Sequence, residues 1–83
     1  MEELAAWHNG REGLEQMLIF VRRNPQGGLC EVEIRTVEGS KLQELLSTAD
    51  ALALAGQIRT AAKGRWERIP TAMSPADDAP SYA

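Results

Sequence analysis

Apolar and polar positions alternate most regularly over residues 29–37, where Cys30, Val32, Ile34 and Thr36 interleave with Glu31, Glu33 and Arg35. A period of two predicts a strand with one face in the core and one in water. Upstream, Met17-Leu18-Ile19-Phe20-Val21 is apolar at every position and rich in β-branched and aromatic side chains, which favours a strand over residues 16–23. Met17, Ile19 and Val21 then point one way and Leu18 and Phe20 the other. Both faces of that strand need cover, as in a central strand or one shielded by a second subunit. The two runs are joined by Asn24-Pro25-Gln26-Gly27-Gly28. Pro25 presets one turn dihedral and Gly27 or Gly28 supplies a positive one, so an antiparallel hairpin is predicted.

The following segment divides the signals. Leu42, Leu45 and Leu46 have helical spacing and Ser40 with Gln43 resembles a capping box, yet residues 41–46 are few enough for a third strand. We read a strand or irregular segment there. Ser47 with Asp50 resembles a second capping box, and Leu54, Ile58, Ala61 and Ala62 form one stripe, which predicts a helix over residues 48–63 stopped by Gly64. Gly56 inside it costs about 1 kcal/mol relative to alanine, and close packing on the sheet is the expected reason for it. Residues 65–69 are read as a short edge strand before Pro70. At the N-terminus, Leu4 and Trp7 stand three apart and suggest a short, loosely attached helix over residues 1–7, ended by the turn His8-Asn9-Gly10.

The expected fold class is α+β: a small antiparallel sheet of three to four strands with one main helix packed on one face. One domain spans residues 1–70. Residues 71–83, with Pro75, Pro80, Asp77 and Asp78 among small side chains, have the composition of a disordered tail. A folded part this small buries only about 60% of its unfolded surface, so association with a second copy or a partner is the expected supplement to its core.

Charge and cysteine usage narrow the function classes. Nine basic against twelve acidic side chains give a formal charge of −3, mixed in sign along the chain, which disfavours a general affinity for nucleic-acid backbones. Cys30 is the only cysteine and fits a reducing cytosol. The longest apolar run is far below the roughly 20 residues of a membrane span, and the acidic Met1-Glu2-Glu3 start is unlike a secretory signal; a cytoplasmic protein without membrane contact is expected.

Candidate chemistry is sparse. One histidine and one cysteine cannot make a four-ligand zinc site within a monomer. A nucleophilic Cys30 would need a base such as His8, but Cys30 shares its strand face with Val32 and Ile34, where a thiol acts as a small core hydrophobe. Glu31 and Glu33 share a face about two residues apart and are read as solvated, with Arg22 or Arg23 as weak surface partners. Gly27-Gly28 lacks the Lys-Ser or Lys-Thr of a phosphate loop, and Gly39-Ser40-Lys41 is an ordinary turn unless it opens a helix. Leu42 to Leu46 spells Leu-x-x-Leu-Leu, a pattern of some docking helices that leucine-rich core segments also produce.

Two basic clusters remain: Arg22-Arg23 at the hairpin, and Lys63, Arg65 and Arg68 around Trp66. Arginine beside an aromatic anchors interfaces or stacks on bases, while Trp66 can also simply close the core. Arg22, Arg23, Arg65, Trp66 and Arg68 are therefore the candidate partner-binding residues, and Leu18 and Phe20 the candidate dimer contacts. No catalytic, cofactor-binding or metal-binding residue is nominated. By exclusion, the sequence points to a noncatalytic protein-binding module, a small regulator, inhibitor or adaptor acting as a homodimer on a partner protein. The alternative is a nucleic-acid-binding regulator with a dimeric Arg/Trp surface, and an enzyme assembled from several subunits ranks last.

Overall fold

The computed structural model describes residues 2–70. Five strands, β1 (Glu2–His8), β2 (Met17–Arg23), β3 (Cys30–Thr36), β4 (Gly39–Leu45) and β5 (Glu67–Arg68), form one antiparallel sheet in the order β4-β3-β2-β1-β5, with α1 (Thr48–Ala61) between β4 and β5. The α+β class is as expected from the sequence, with one or two strands more than expected. Residues 71–83, read as a tail, lie outside the described residues.

The β2–β3 hairpin forms where the turn chemistry placed it. Asn24 N–H donates to the Leu29 carbonyl at 2.8 Å, Gly28 N–H to the Asn24 carbonyl at 2.9 Å, and Gly28 supplies the positive φ of 73°. Asn24 Oδ1 further accepts from the amides of Gln26 and Gly27, an Asx-type closure that fixes the loop. Register follows from this turn, with Arg22 opposite Glu31, Phe20 opposite Glu33 and Ile19 opposite Ile34.

The N-terminal segment is a correction. Residues 2–8 form a strand between β2 and β5 and not a loosely attached helix. A bulge between Glu3 and Ala5 is the physical reason for the misleading spacing. It lets Leu4 and Trp7, three residues apart, both pack on the core side, which a regular strand forbids. Residues 39–45 form β4, so Ser40 with Gln43 caps nothing and Gly39-Ser40-Lys41 opens no helix. Leu45 packs on the core, whereas Leu42 and Leu46 are 60% and 83% exposed; core packing accounts for one leucine of the Leu-x-x-Leu-Leu run.

α1 begins as predicted, with the Ser47 side chain accepting from Asp50 N–H at 3.0 Å. It lies over β2, β3 and β4 and presents Ala51 and Ala55, both fully buried, to Ile19, Val21, Cys30 and Val32. Small side chains here let the helix approach the sheet closely. Gly56 is not part of that contact: a Cβ built there meets only Arg59 Nη2, at 3.7 Å, so sheet packing does not explain it. Cys30 is buried against Thr48 Oγ1, 3.4 Å away, in the core role expected of it.

The sheet's far end is tied by Asn9, which is 1% exposed. Its Oδ1 accepts from Arg11 N–H and Met17 N–H, its Nδ2 donates to the Glu15 carbonyl at 2.7 Å, and its own carbonyl accepts from Arg65 N–H at 2.9 Å. Asn9 thus closes the β1–β2 connection with its side chain and ties it to the segment after α1 with its main-chain carbonyl.

Candidate functional site

Residues directly opposed across antiparallel strands share a sheet face. Away from α1, the register therefore stacks three rows: Glu3–Arg22–Glu31–Glu44, then Ala6–Phe20–Glu33–Leu42, then His8–Leu18–Arg35–Ser40. No other described helix or strand lies over them.

Glu33 is the centre of this face and the largest departure from the sequence reading. It is 6% exposed, not solvated. Phe20 and Leu42 flank it on the neighbouring strands, and its carboxylate is filled by donors: Arg35 Nε at 3.0 Å, Ser40 Oγ at 2.8 Å and Arg22 Nη2 at 2.7 Å. Burial by itself raises a carboxyl pKa, but the hydrogen bonds from Arg35, Ser40 and Arg22, with the charge of Arg22, outweigh it and lower Glu33 from 4.5 to about 2. Glu33 is therefore ionised at neutral pH. Arg22 also reaches Glu31 Oε1 at 3.2 Å.

The same two guanidinium groups cover Phe20. Arg22 Cζ lies 5.0 Å and Arg35 Cζ 4.6 Å from the ring centroid. A buried carboxylate thus holds two arginines against an aromatic, which lowers the entropy lost on binding, more for the largely buried Arg22 than for the half-exposed Arg35. Leu18 lies two residues from Phe20 on the same face of β2, and Leu42 lies two strands from Phe20 on the far side of Glu33, so apolar side chains flank the charged network.

The structure separates the other nominated residues. Arg23 faces the helix side of β2 and pairs with Glu2, so the two hairpin arginines point to opposite faces. Trp66 packs against the core on the helix side and donates from Nε1 to the Ala62 carbonyl at 3.2 Å. The aromatic ring that carries arginines at this end is Trp7: Arg59 Cζ stands 3.8 Å from its centroid and Arg68 Cζ 5.5 Å. Burial, then the nearby charge of Arg68, lower the Arg59 pKa. Arg68 also donates to the Leu4 carbonyl at 3.3 Å, and Arg65 is held through its amide by Asn9. Arg22 and Trp66 consequently lie on opposite sides of the sheet.

Sequence reasoning missed Glu33 and Ser40 as parts of one network. The available signal was the hairpin itself: a turn at residues 24–28 sets Phe20 opposite Glu33, and a carboxylate beside a large ring and between two arginines is covered. Among the described residues, no group of three or more His, Cys, Asp or Glu side chains stands close enough to hold a metal ion, and no helix is long and apolar enough to cross a membrane. The chain matches no protein-family model, no curated protein and no solved structure.

Proposed function

We propose that the protein is a noncatalytic binding module, a small regulator, inhibitor or adaptor that docks a partner protein on the sheet face away from α1. One observation carries this reading: Phe20 held between Arg22 and Arg35, which a buried Glu33 fixes in place, with Leu18 beside the ring and Leu42 beyond Glu33 as the further apolar side chains of the face. Aromatic and arginine side chains dominate the energetics of protein interfaces, and a rigid face spends little entropy on ordering. Leu18 and Phe20 belong to the partner-facing surface in this reading.

The charge of that face favours protein over nucleic acid. Its three rows hold Glu3, Glu31, Glu33 and Glu44 against Arg22 and Arg35, a balance that repels a phosphate backbone. A dimeric Arg/Trp nucleic-acid surface would further have to join Arg22 to Trp66 around the sheet. The test is affinity capture from the native cell with mass spectrometry, followed by titration of the purified partner with the parent, Phe20→Ala and Leu42→Glu. Binding lost or weakened in both variants is expected. Undiminished binding by both, or capture of nucleic acid that dissociates steeply with added salt, overturns the reading.

A further inference from the structure

The two edges of the sheet are unlike. β5 contributes two residues and is followed at once by Pro70 within two positions, a short edge that offers little backbone to another chain. β4 is the opposite case. It runs seven residues, pairs with β3 without a bulge from Gly39↔Thr36 to Leu45↔Cys30, contains no proline, and is exposed at every position except the half-buried Leu45. No described strand pairs with its outer side. Long regular edges with free N–H and C=O groups are templates for strand addition.

We propose that β4 pairs antiparallel with β4 of a second copy of this chain, about a two-fold axis at Leu42. The occupant is chosen by self-complementarity. In an isologous antiparallel pair the opposed residues share a face, so the axis must pass through a residue position, and only three centres give a ladder of useful length. An axis at Lys41 opposes two ammonium groups. An axis at Gln43 leaves Gly39 and Ser40 unpaired. The axis at Leu42 uses all of β4: Gly39 opposes Leu45, Ser40 opposes Glu44, Lys41 opposes Gln43, and Leu42, 60% exposed in one copy, meets itself. No like charges stand opposite each other. Glu44, which already faces Glu31 on β3, meets the uncharged Ser40 of the second copy and no further carboxylate.

The axis stands perpendicular to the sheet, so both helices fall on one side and the two Phe20 faces merge into one continuous surface on the other. Self-pairing does not require the partner proposed for that surface; Leu42 belongs to both, so Phe20→Glu and the pair Lys41→Cys with Gln43→Cys are the variants that separate the two ideas.

Sedimentation equilibrium from micromolar to millimolar protein is expected to show a monomer–dimer equilibrium. Leu42→Lys and Leu42→Glu, at an exposed position, each weaken it by roughly tenfold or more, and mixing the two restores it. Phe20→Glu leaves it in place. Lys41→Cys mixed with Gln43→Cys, both on the helix side where a face-to-face dimer cannot bring them together, forms the mixed disulfide in preference to either self-disulfide under mild oxidation. A parent that stays monomeric throughout overturns the proposal, even if an added partner protects the β4 amides from exchange. So does a dimer that survives Leu42→Lys but dissociates in Phe20→Glu, or a mixed disulfide no more abundant than chance.

Discussion

Phe20 and Glu33 stand directly opposite each other on β2 and β3, and the arginines that neutralise the carboxylate are the ones that cover the ring. Charge and apolar area on this face are therefore not separate features. Removing the carboxylate takes from Arg35 its ion-pair partner and leaves Arg22 with Glu31 alone, so the cover of the aromatic loosens at the same time.

Acid should act through Glu33. Its folded pKa of about 2 lies below the ordinary 4.5, so its stabilising contribution is complete above about pH 4.5 and is lost as pH falls through the folded value. At about 1.4 kcal/mol per pKa unit, the contribution is at most about 3–4 kcal/mol. Denaturant midpoints measured from pH 7 to pH 2 should fall across that window. Glu33→Gln should flatten this acid limb while lowering stability at neutral pH.

Gly64→Ala should destabilise strongly. Gly64 has a φ of 145°, and a Cβ there would lie 2.6 Å from the Asn9 carbonyl oxygen, which is backbone and already accepts from Arg65 N–H. Strain of about 1–3 kcal/mol is expected from the dihedral before the clash is added. A thermal melt compared with that of Gly27→Ala, where the nearest atoms are at 3.5 Å or beyond, checks it.

Gly56→Ala should do the reverse. The position is inside α1, has no positive φ, and has room for a methyl group. Removing the glycine penalty should raise stability by about 0.4–1 kcal/mol. An unchanged or lowered urea midpoint would contradict this.

Core and surface leucine-type positions should part clearly. Ile19→Ala, at a fully buried site beneath α1, should cost about 2–5 kcal/mol, whereas Leu46→Ala should stay within about 0.5 kcal/mol. Equal costs in chemical denaturation would reject the described core.

The strands whose patterns are simple were legible in the sequence. Residues 29–37 alternate cleanly, and residues 16–23 are apolar on both sides because α1 covers one face and Phe20 carries its own cover of arginines on the other. β1 was not legible, since Ala5 and Ala6 carry no strand preference and the bulge at Leu4 breaks the period-two pattern. Glu33 was misjudged for a different reason: alternation tells which face a side chain is on, not whether neighbours on adjacent strands close over it. Gly56 shows a third limit, because a glycine tolerated in a helix need not be required there. Asn9 looked like a turn residue alone, and its reach to Glu15, Met17 and Arg65 depends on a loop geometry that no local pattern encodes.

The order β4-β3-β2-β1-β5 has a kinetic consequence. Four strands follow one another as a meander, so their ladders close over short stretches of chain, and only β5 must return across the whole chain to find β1. Loop-closure cost then falls almost entirely on that last pairing. The meander and α1 are expected to assemble first, with β5 docking afterwards. In native-state hydrogen exchange the Ile69 amide, bonded to the Ala6 carbonyl at 2.8 Å, should open at lower free energy than amides of β2 and β3, so β5 can detach while the rest of the sheet stays intact.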